Sequence, residues 1–281
     1  MKLTPYTINC RGKLLNLAEP VVMGIINITD DSFYAESRSR HLHHIIEKAG
    51  QHLAAGAAIL DLGAQSSRPG AVEIGAQEEQ ERLLPVIHAL INHYPDAIIS
   101  VDTYYASVAE KAVHAGAAII NDISAGEMDP QMLETVGRLQ APYIAMHMKG
   151  TPATMQKDPQ YENVVREVLD YFIQKLAQCR AAGIRDVIID PGFGFGKTLA
   201  HNYTLLRHLH LFQVLDCPLL AGVSRKSMIY RLLGTTPEEA LNGTTVIHTL
   251  ALQQGVQLLR VHDVKPAVET VKIWQYIRNN E

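Results

Sequence analysis

Eight short apolar runs recur along this chain, and each ends in a polar or charged residue or a glycine. They are VVMGIIN ending at Asn27, AAILDLG at Gly63, AIISVD at Asp102, AAIIND at Asp122, PYIAMH at His147, DVIID at Asp190, PLLAGVS at Ser224 and QLLRVHD at Asp263. Helical patterns separate them. The runs are continuous in Ile, Val and Leu rather than alternating, as expected of parallel strands buried on both faces. Eight repeated βα units suffice to close a barrel, and in such barrels the chemistry sits where the strands end. The sequence therefore predicts an α/β fold of the (β/α)8 TIM-barrel type. The polar strand ends form its candidate active-site list.

Length and composition agree. The 281 residues are 47% hydrophobic and 19% charged, which suits one large domain over residues 1–281. No apolar stretch reaches the ~18 residues of a membrane span. The N-terminus, MKLTPYTINCRGK, has no apolar core of a secretory signal. Cys10, Cys179 and Cys217 are few, scattered and odd in number, so no disulfide framework and a cytoplasmic location are expected. A net charge of −4 argues against general nucleic-acid binding but allows an anionic substrate on a local basic cluster.

Residues 1–18 read as a short β-hairpin across the barrel bottom. Helices are expected over 40–55, 77–93, 106–115, 130–139, 162–182, 201–214, 237–254 and 265–278. Leu83, Leu84, Ile87, Leu90 and Ile91 show the three- and four-residue spacing of a buried helix face. Pro130 and Pro237 suit first helical positions, and Gly56, Gly116, Gly183 and Gly255 fall where helices should stop. Three segments following strands, 29–39, 64–76 and 149–161, are long for tight turns. They read as functional loops on the C-terminal face.

Several constellations carry chemistry. Arg260 and His262 are two apart and so share one face of the last strand. Ser224-Arg225-Lys226 ends the seventh run, adding charge where this fold commonly binds phosphate. A diphosphate site is the functional reading; a buried ion pair with Asp263 or Asp190 is the competing one. DPGFGFGK (residues 190–197) has neither the G-x-G-x-x-G nor the G-x-x-x-x-G-K-[ST] spacing, so both nucleotide-loop readings fail. Its glycines still allow close backbone approach to a ligand, and Phe193 and Phe195 read as walls for an aromatic ring. Asp102, Asn121 and Asp190 end three strands. A flat heterocycle with amino and ring N–H donors would satisfy all three, because a carboxylate accepts two parallel hydrogen bonds from an aminopyrimidine edge. A network with Lys226 and Arg260 would also satisfy them. Asp61 reads equally well as structural or functional. The Asn27 amide oxygen suits Mg²⁺ shared with substrate phosphates, and no His/Cys cluster has zinc spacing. His41, His43 and His44 crowd a helix start and read as solvent-facing.

MGIINITDDSF, GAQSSRPGA, SVDT, INDIS, MHMKGTPATMQ, DPGFGFGK, GVSRKSMI and RVHDV occur in the order and spacing of dihydropteroate synthases, and the chain resembles that family from about Val21 to Val264. The resemblance implies condensation of 6-hydroxymethyl-7,8-dihydropterin diphosphate with 4-aminobenzoate, giving 7,8-dihydropteroate and diphosphate in folate biosynthesis. It implies pterin binding by Asp102, Asn121, Asp190 and Lys226, and diphosphate binding by Asn27, Arg260 and His262, with Asn27 as the Mg²⁺ ligand. Lys226, Arg260 and His262 are the implied catalytic residues. Ser67, Arg68, Pro69, Phe195 and Ser224 are the implied aminobenzoate site. It also implies a homodimer through late helices such as 237–254, and a sulfonamide target. The chain departs from the family in its first loop, where Thr29-Asp30-Asp31-Ser32-Phe33-Tyr34-Ala35-Glu36-Ser37 replaces the usual T-P-D-S-F-S-D-G-G. In its second loop Gln65 and Ser67 stand for the usual Glu and Thr. Two rivals share the pterin residues. A methyltetrahydrofolate-dependent corrinoid methyltransferase has no use for a diphosphate site, and a non-catalytic pterin-binding paralogue would tolerate the altered loops.

Overall fold

The computed structural model describes residues 4–28, 35–65, 73–152 and 154–280, with residues 35–39 described in backbone only. The chain opens with a hairpin of β1 (Thr7–Cys10) and β2 (Lys13–Asn16), paired antiparallel. Eight parallel strands follow: β3 (Val21–Asn27), β4 (Ile59–Gly63), β5 (Ile98–Asp102), β6 (Ile119–Asp122), β7 (Tyr143–Met146), β8 (Val187–Asp190), β9 (Leu220–Ala221) and β10 (Leu258–Val261). Their order is β8-β7-β6-β5-β4-β3-β10-β9, and a parallel bridge between Ile189 and Leu219 joins the two ends. This is the expected (β/α)8 barrel. The helices are α1 (Ala35–Ala54), α2 (Ala76–His93), α3 (Ala106–Ala115), α4 (Met132–Leu139), α5 (Val164–Ala181), α6 (Leu199–Arg207), α7 (Ser227–Leu233), α8 (Leu241–Gln253) and α9 (Val264–Asn279).

The two-residue period of a strand sorts every side chain to one wall or the other. Residues facing the helices, such as Ile26, Leu60, Val101, Ile120, Ile189 and Val261, join the outer core with Leu83, Ile87, Leu90 and Phe172. Inside, Met23, Ile59, Ile119, Ile144, Ile188, Leu220 and Leu258 form an apolar layer with Ile8, Cys10 and Leu17 of the hairpin segment. The hairpin therefore seals the bottom, as expected. One inward position higher on the strands the residues change character. Asp61, Ser100, Asn121, Asp190 and Arg260 each lie two residues after one of these inward apolar side chains or after Ile98, which packs against that layer.

Three expectations need correction. The helix expected over 201–214 is α6 followed by a separate 3₁₀ segment, Leu209–Leu215. Its buried residues Leu209, Phe212 and Leu215 recur every third position, which is the 3₁₀ period rather than 3.6. The seventh strand is ladder-paired only at Leu220–Ala221, and the unexpected α7 begins directly after Lys226. The helices expected from Pro130 and Pro237 begin at Met132 and Leu241.

Candidate active site

The top of the barrel gathers most of the predicted residues. Asp61, on β4, is fully buried, and its Oδ2 accepts from Arg260 Nε at 2.7 Å and from Asn121 Nδ2 at 3.3 Å. Arg260 Nη2 also donates to Asp102 Oδ2 at 2.6 Å. Arg260 is thus shared by two carboxylates. The Asp102 pairing belongs to the network considered from sequence, whereas Asp61 was not considered as a partner and neither Asp190 nor Asp263 pairs directly with Arg260: Asp263 is taken by Arg225, through Nε at 2.7 Å and Nη2 at 2.9 Å. Arg225 also donates to the Pro237 and Glu238 carbonyls, so its charge serves the β9–α7 turn and does not join the proposed phosphate cluster. Burial opposes charge on Arg260, but Asp61 and Asp102 outweigh it and raise its pKa. Burial pushes Asp102 up to about 7, against the pull of Arg260 and with Asp61 and Asp122 adding to the rise.

Asp190, at the end of β8, is buried. Its Oδ1 accepts the Gly192 N–H at 2.8 Å, and burial raises its pKa against the pull of Lys226. Lys226 Nζ donates to the Phe193 carbonyl and lies 4.5 Å from the Phe195 ring centroid. Burial lowers Lys226 to about 8, with Asp190 and Asp102 resisting and Arg260 adding to the fall. A Cβ built on Gly222 would meet Asp190 Oδ2 at 3.5 Å and Lys226 Nζ at 3.8 Å. The missing side chain at Gly222 thus keeps open the space between an acceptor and a cation. Sequence reasoning passed over Gly222, although it lies two residues before Ser224 on the same inward face.

On the other side, His262 Nδ1 and Ser224 Oγ are 3.1 Å apart, and Ser224 Oγ also accepts the His262 N–H at 3.2 Å. Burial, then Arg260, lowers His262 to about 4, so its imidazole is neutral near pH 7 and acts as a hydrogen-bonding group. Asn27 ends β3 with its side chain exposed at the mouth.

The glycine-rich loop is a wall braced by hydrogen bonds to its carbonyls. Phe195 clusters with Tyr104, Ile123, Met146 and Met155, as a ring wall should. Phe193 is a correction: it is fully buried in the outer core and presents no ring to a ligand. Lys197 turns inward. Its Nζ donates to the carbonyls of Gly192 at 2.9 Å and Phe195 at 3.0 Å, and lies 2.9 Å from His147 Nδ1. Burial lowers His147 to about 2, which leaves that ring an acceptor. The lysine is a staple inside the loop, consistent with rejecting a phosphate-loop role. Gln156 and Tyr161 donate to the Gly194 and Gly196 carbonyls, so the long segment after β7 braces this wall from outside.

Ser67, Arg68 and Pro69 lie outside the described residues. The roots of their loop are visible. Gln65 Oε1 accepts the Ile74 N–H at 2.9 Å, and Glu73 Oε1 accepts from both Tyr104 and Tyr105 hydroxyls, at 2.9 and 3.1 Å. Of the histidines near the first helix, His43 and His44 are exposed as expected, while His41 is half-buried.

The donor set sorts into a deep shelf of acceptors beside an Arg, a Lys and a neutral His. Such a shelf holds a flat ring rich in N–H donors next to an anion. Among the described residues no group of three or more His, Cys, Asp or Glu forms a cage. One exposed neutral amide fits only an ion whose remaining ligands are phosphate oxygens and water, which is the usual habit of Mg²⁺.

Comparison with known proteins agrees with this class of site, an enzyme that binds a pterin in a barrel mouth. The family profile described as pterin binding enzyme matches residues 23–262. Dihydropteroate synthase of Escherichia coli is 43% identical over 265 residues, spanning 94% of this chain and 93% of that one. The Yersinia pestis dihydropteroate synthase, solved with a sulfonamide drug complex, superposes with a TM-score of 0.91 at 41% identity, covering 98% of this chain and 100% of that one. The Xanthomonas albilineans enzyme in complex with 7,8-dihydropteroate gives 0.85 at 36% identity, covering 97% and 98%. The chain belongs to the pterin binding enzymes and, within them, to the dihydropteroate synthases.

Proposed function

We propose that this barrel condenses 6-hydroxymethyl-7,8-dihydropterin diphosphate with 4-aminobenzoate, releasing diphosphate and 7,8-dihydropteroate, and that the residues work as follows. The pterin ring lies on the shelf of Asp102, Asn121 and Asp190. Lys226 sits between the ring and Phe195, where 4-aminobenzoate packs with Ser224 and with Ser67, Arg68 and Pro69 of the second loop. Arg260 and His262 hold the diphosphate, and Asn27 would hold a Mg²⁺ shared with it, which when bound neutralises charge on the leaving oxygens. The C–O bond breaks with its electron pair leaving on diphosphate, and the resulting methylene cation is conjugated to the pterin. Charge stabilisation on the leaving group is commonly the largest catalytic contribution. The neutral arylamine then forms the C–N bond, and its proton passes to diphosphate or water. An arylamine is already nucleophilic, so no strong general base is needed.

The observation that carries this reading is the placement of Asp190, Lys226, Arg260 and His262 close enough to act on one another's charge, with Gly222 leaving the space between Asp190 and Lys226 unfilled. The test is direct. Purified protein with the pterin diphosphate, Mg²⁺ and 4-aminobenzoate should yield dihydropteroate at enzymatic rates. Ligand binding without turnover would instead make it a binding-only paralogue. A homodimer and a cytoplasmic location belong to the same reading. Val246 and Leu250 on α8 and Ile273, Tyr276 and Ile277 on α9 leave an apolar face exposed, and all three cysteines are free. None of the described helices is long and apolar enough to cross a membrane.

A further inference from the structure

Asp61 has no place in the chemistry above, yet it is more deeply buried than either carboxylate of the shelf. Burying a carboxylate is expensive unless it is paired and fully hydrogen-bonded. Asp61 meets only half of that condition. Its Oδ2 serves both Arg260 and Asn121, while its Oδ1 is buried without a hydrogen-bond partner among the described residues. Ser100 Oγ, on the residue paired with Asp61 across β4 and β5, is in the same state. The layer beneath shows what suits stability at an inward barrel position, which is Ile, Leu or Met. Asp61 is therefore explained by what it holds.

What it holds is Arg260, at Nε, the guanidinium nitrogen nearest the side-chain stem. A bond there sets the plane of the fork and leaves the outer nitrogens to others. Asp102 now occupies Nη2. In the proposed reaction, however, Asp102 must turn its oxygens to the aminopyrimidine edge of the pterin. Arg260 then keeps one fixed counter-ion, Asp61, and its outer nitrogens face the diphosphate.

We propose that Asp61 is a positioning residue: it anchors Arg260 toward the diphosphate while Asp102 is taken up by the pterin, and through Asn121 it ties the two halves of the site together. This rests on the reading of Arg260 as a diphosphate ligand. The informative variant is Asp61→Asn, which can keep an oxygen toward Arg260 and Asn121, removes the charge, and puts an NH2 only where Oδ1 has no partner among the described residues. Calorimetric titration should show inorganic diphosphate, with Mg²⁺ present, binding about tenfold or more weakly, while 6-hydroxymethyl-7,8-dihydropterin changes by less than about threefold. In turnover, Asp61→Asn added to Arg260→Lys should cost little beyond Arg260→Lys alone, since groups that act through one another are not additive. Equal weakening of both ligands, no weakening of diphosphate, or additive losses would each overturn the proposal. Should Asp61→Asn not fold, Asp61→Ser takes the same titrations with added formate. Recovery of diphosphate affinity is expected, and its absence overturns the proposal. Wild-type protein that binds pterin but not diphosphate removes the underlying reading of Arg260 and the proposal with it, a result distinct from any in the variants.

Discussion

At Gly222 the important property is volume. A methyl group there would make ordinary van der Waals contact with Asp190 and Lys226 at 3.5 and 3.8 Å, so the protein itself should accept it. The pterin should not. Gly222→Ala is expected to raise KM for the pterin diphosphate about tenfold, or ~1.4 kcal/mol, with melting temperature unchanged and KM for aminobenzoate little affected. Steady-state kinetics against both substrates checks this. Glu79 offers a second test, of stability. It is fully buried on α2, its Oε2 accepts from Thr103 at 3.0 Å, its Oε1 has no partner among the described residues, and burial raises it to about 8. Because the folded pKa exceeds the ordinary 4.5, the folded chain keeps a proton that the unfolded chain gives up. The contribution is intact below the unfolded value and is lost as pH rises toward about 8. Glu79→Gln has no proton to lose. It should melt at least about 3 °C above wild type near pH 8.5, and the gap should close toward pH ~4.5. A gap independent of pH would contradict the assignment of a neutral Glu79.

Among the elements, the glycine-rich loop shows what sequence could and could not reveal. A Cβ on Gly196 would fall 2.4 Å from the Lys149 carbonyl oxygen, at a φ of +62°. Gly196→Ala is therefore expected to cost at least about 2 kcal/mol in chemical denaturation, and to impair aminobenzoate use through the displaced Phe195. The ends of the strands were legible because a parallel barrel strand ends where its apolar run ends, and Asp102, Asn121 and Asp190 all lie on the shelf. Arg260 and His262 were legible from their two-residue spacing. Of the ion-pair partners of Arg260, Asp102 was legible and Asp61 was not. Which carboxylate meets Arg260 depends on barrel stagger, and Asp61 is 199 residues away in sequence. The two phenylalanines flanking Gly194 look equivalent in sequence, yet only Phe195 reaches the mouth, because the glycine-rich turn sends Phe193 into the helix layer. The break between α6 and the 3₁₀ segment was lost for a related reason. Over one short stretch, spacings of three and of 3.6 give nearly the same apolar pattern.

Across the whole molecule, stability and chemistry occupy opposite ends of the barrel. The lower inward layer and the hairpin segment form one apolar cluster, and Leu17 is fully buried in it. Leu17→Ala should cost about 2–5 kcal/mol in denaturant unfolding, as large-to-small changes in cores do, while kcat and both KM values stay at wild-type levels. A large kinetic effect would mean that the two ends communicate more than their separate layers suggest.

The sealed bottom has a further consequence, for traffic. With the hairpin segment packed beneath the barrel, the described residues close the site from below, and substrates and products pass at the upper end. Of the acceptor shelf, Asn121 and Asp190 lie two residues beyond the inward apolar layer, whereas Ser224 lies four residues beyond Leu220 of that layer. A heterocycle arriving after the amine would find its way down blocked. On the roles proposed for these residues, the ring is expected to enter first and the amine to follow into the place above it, an order that product-inhibition kinetics would check.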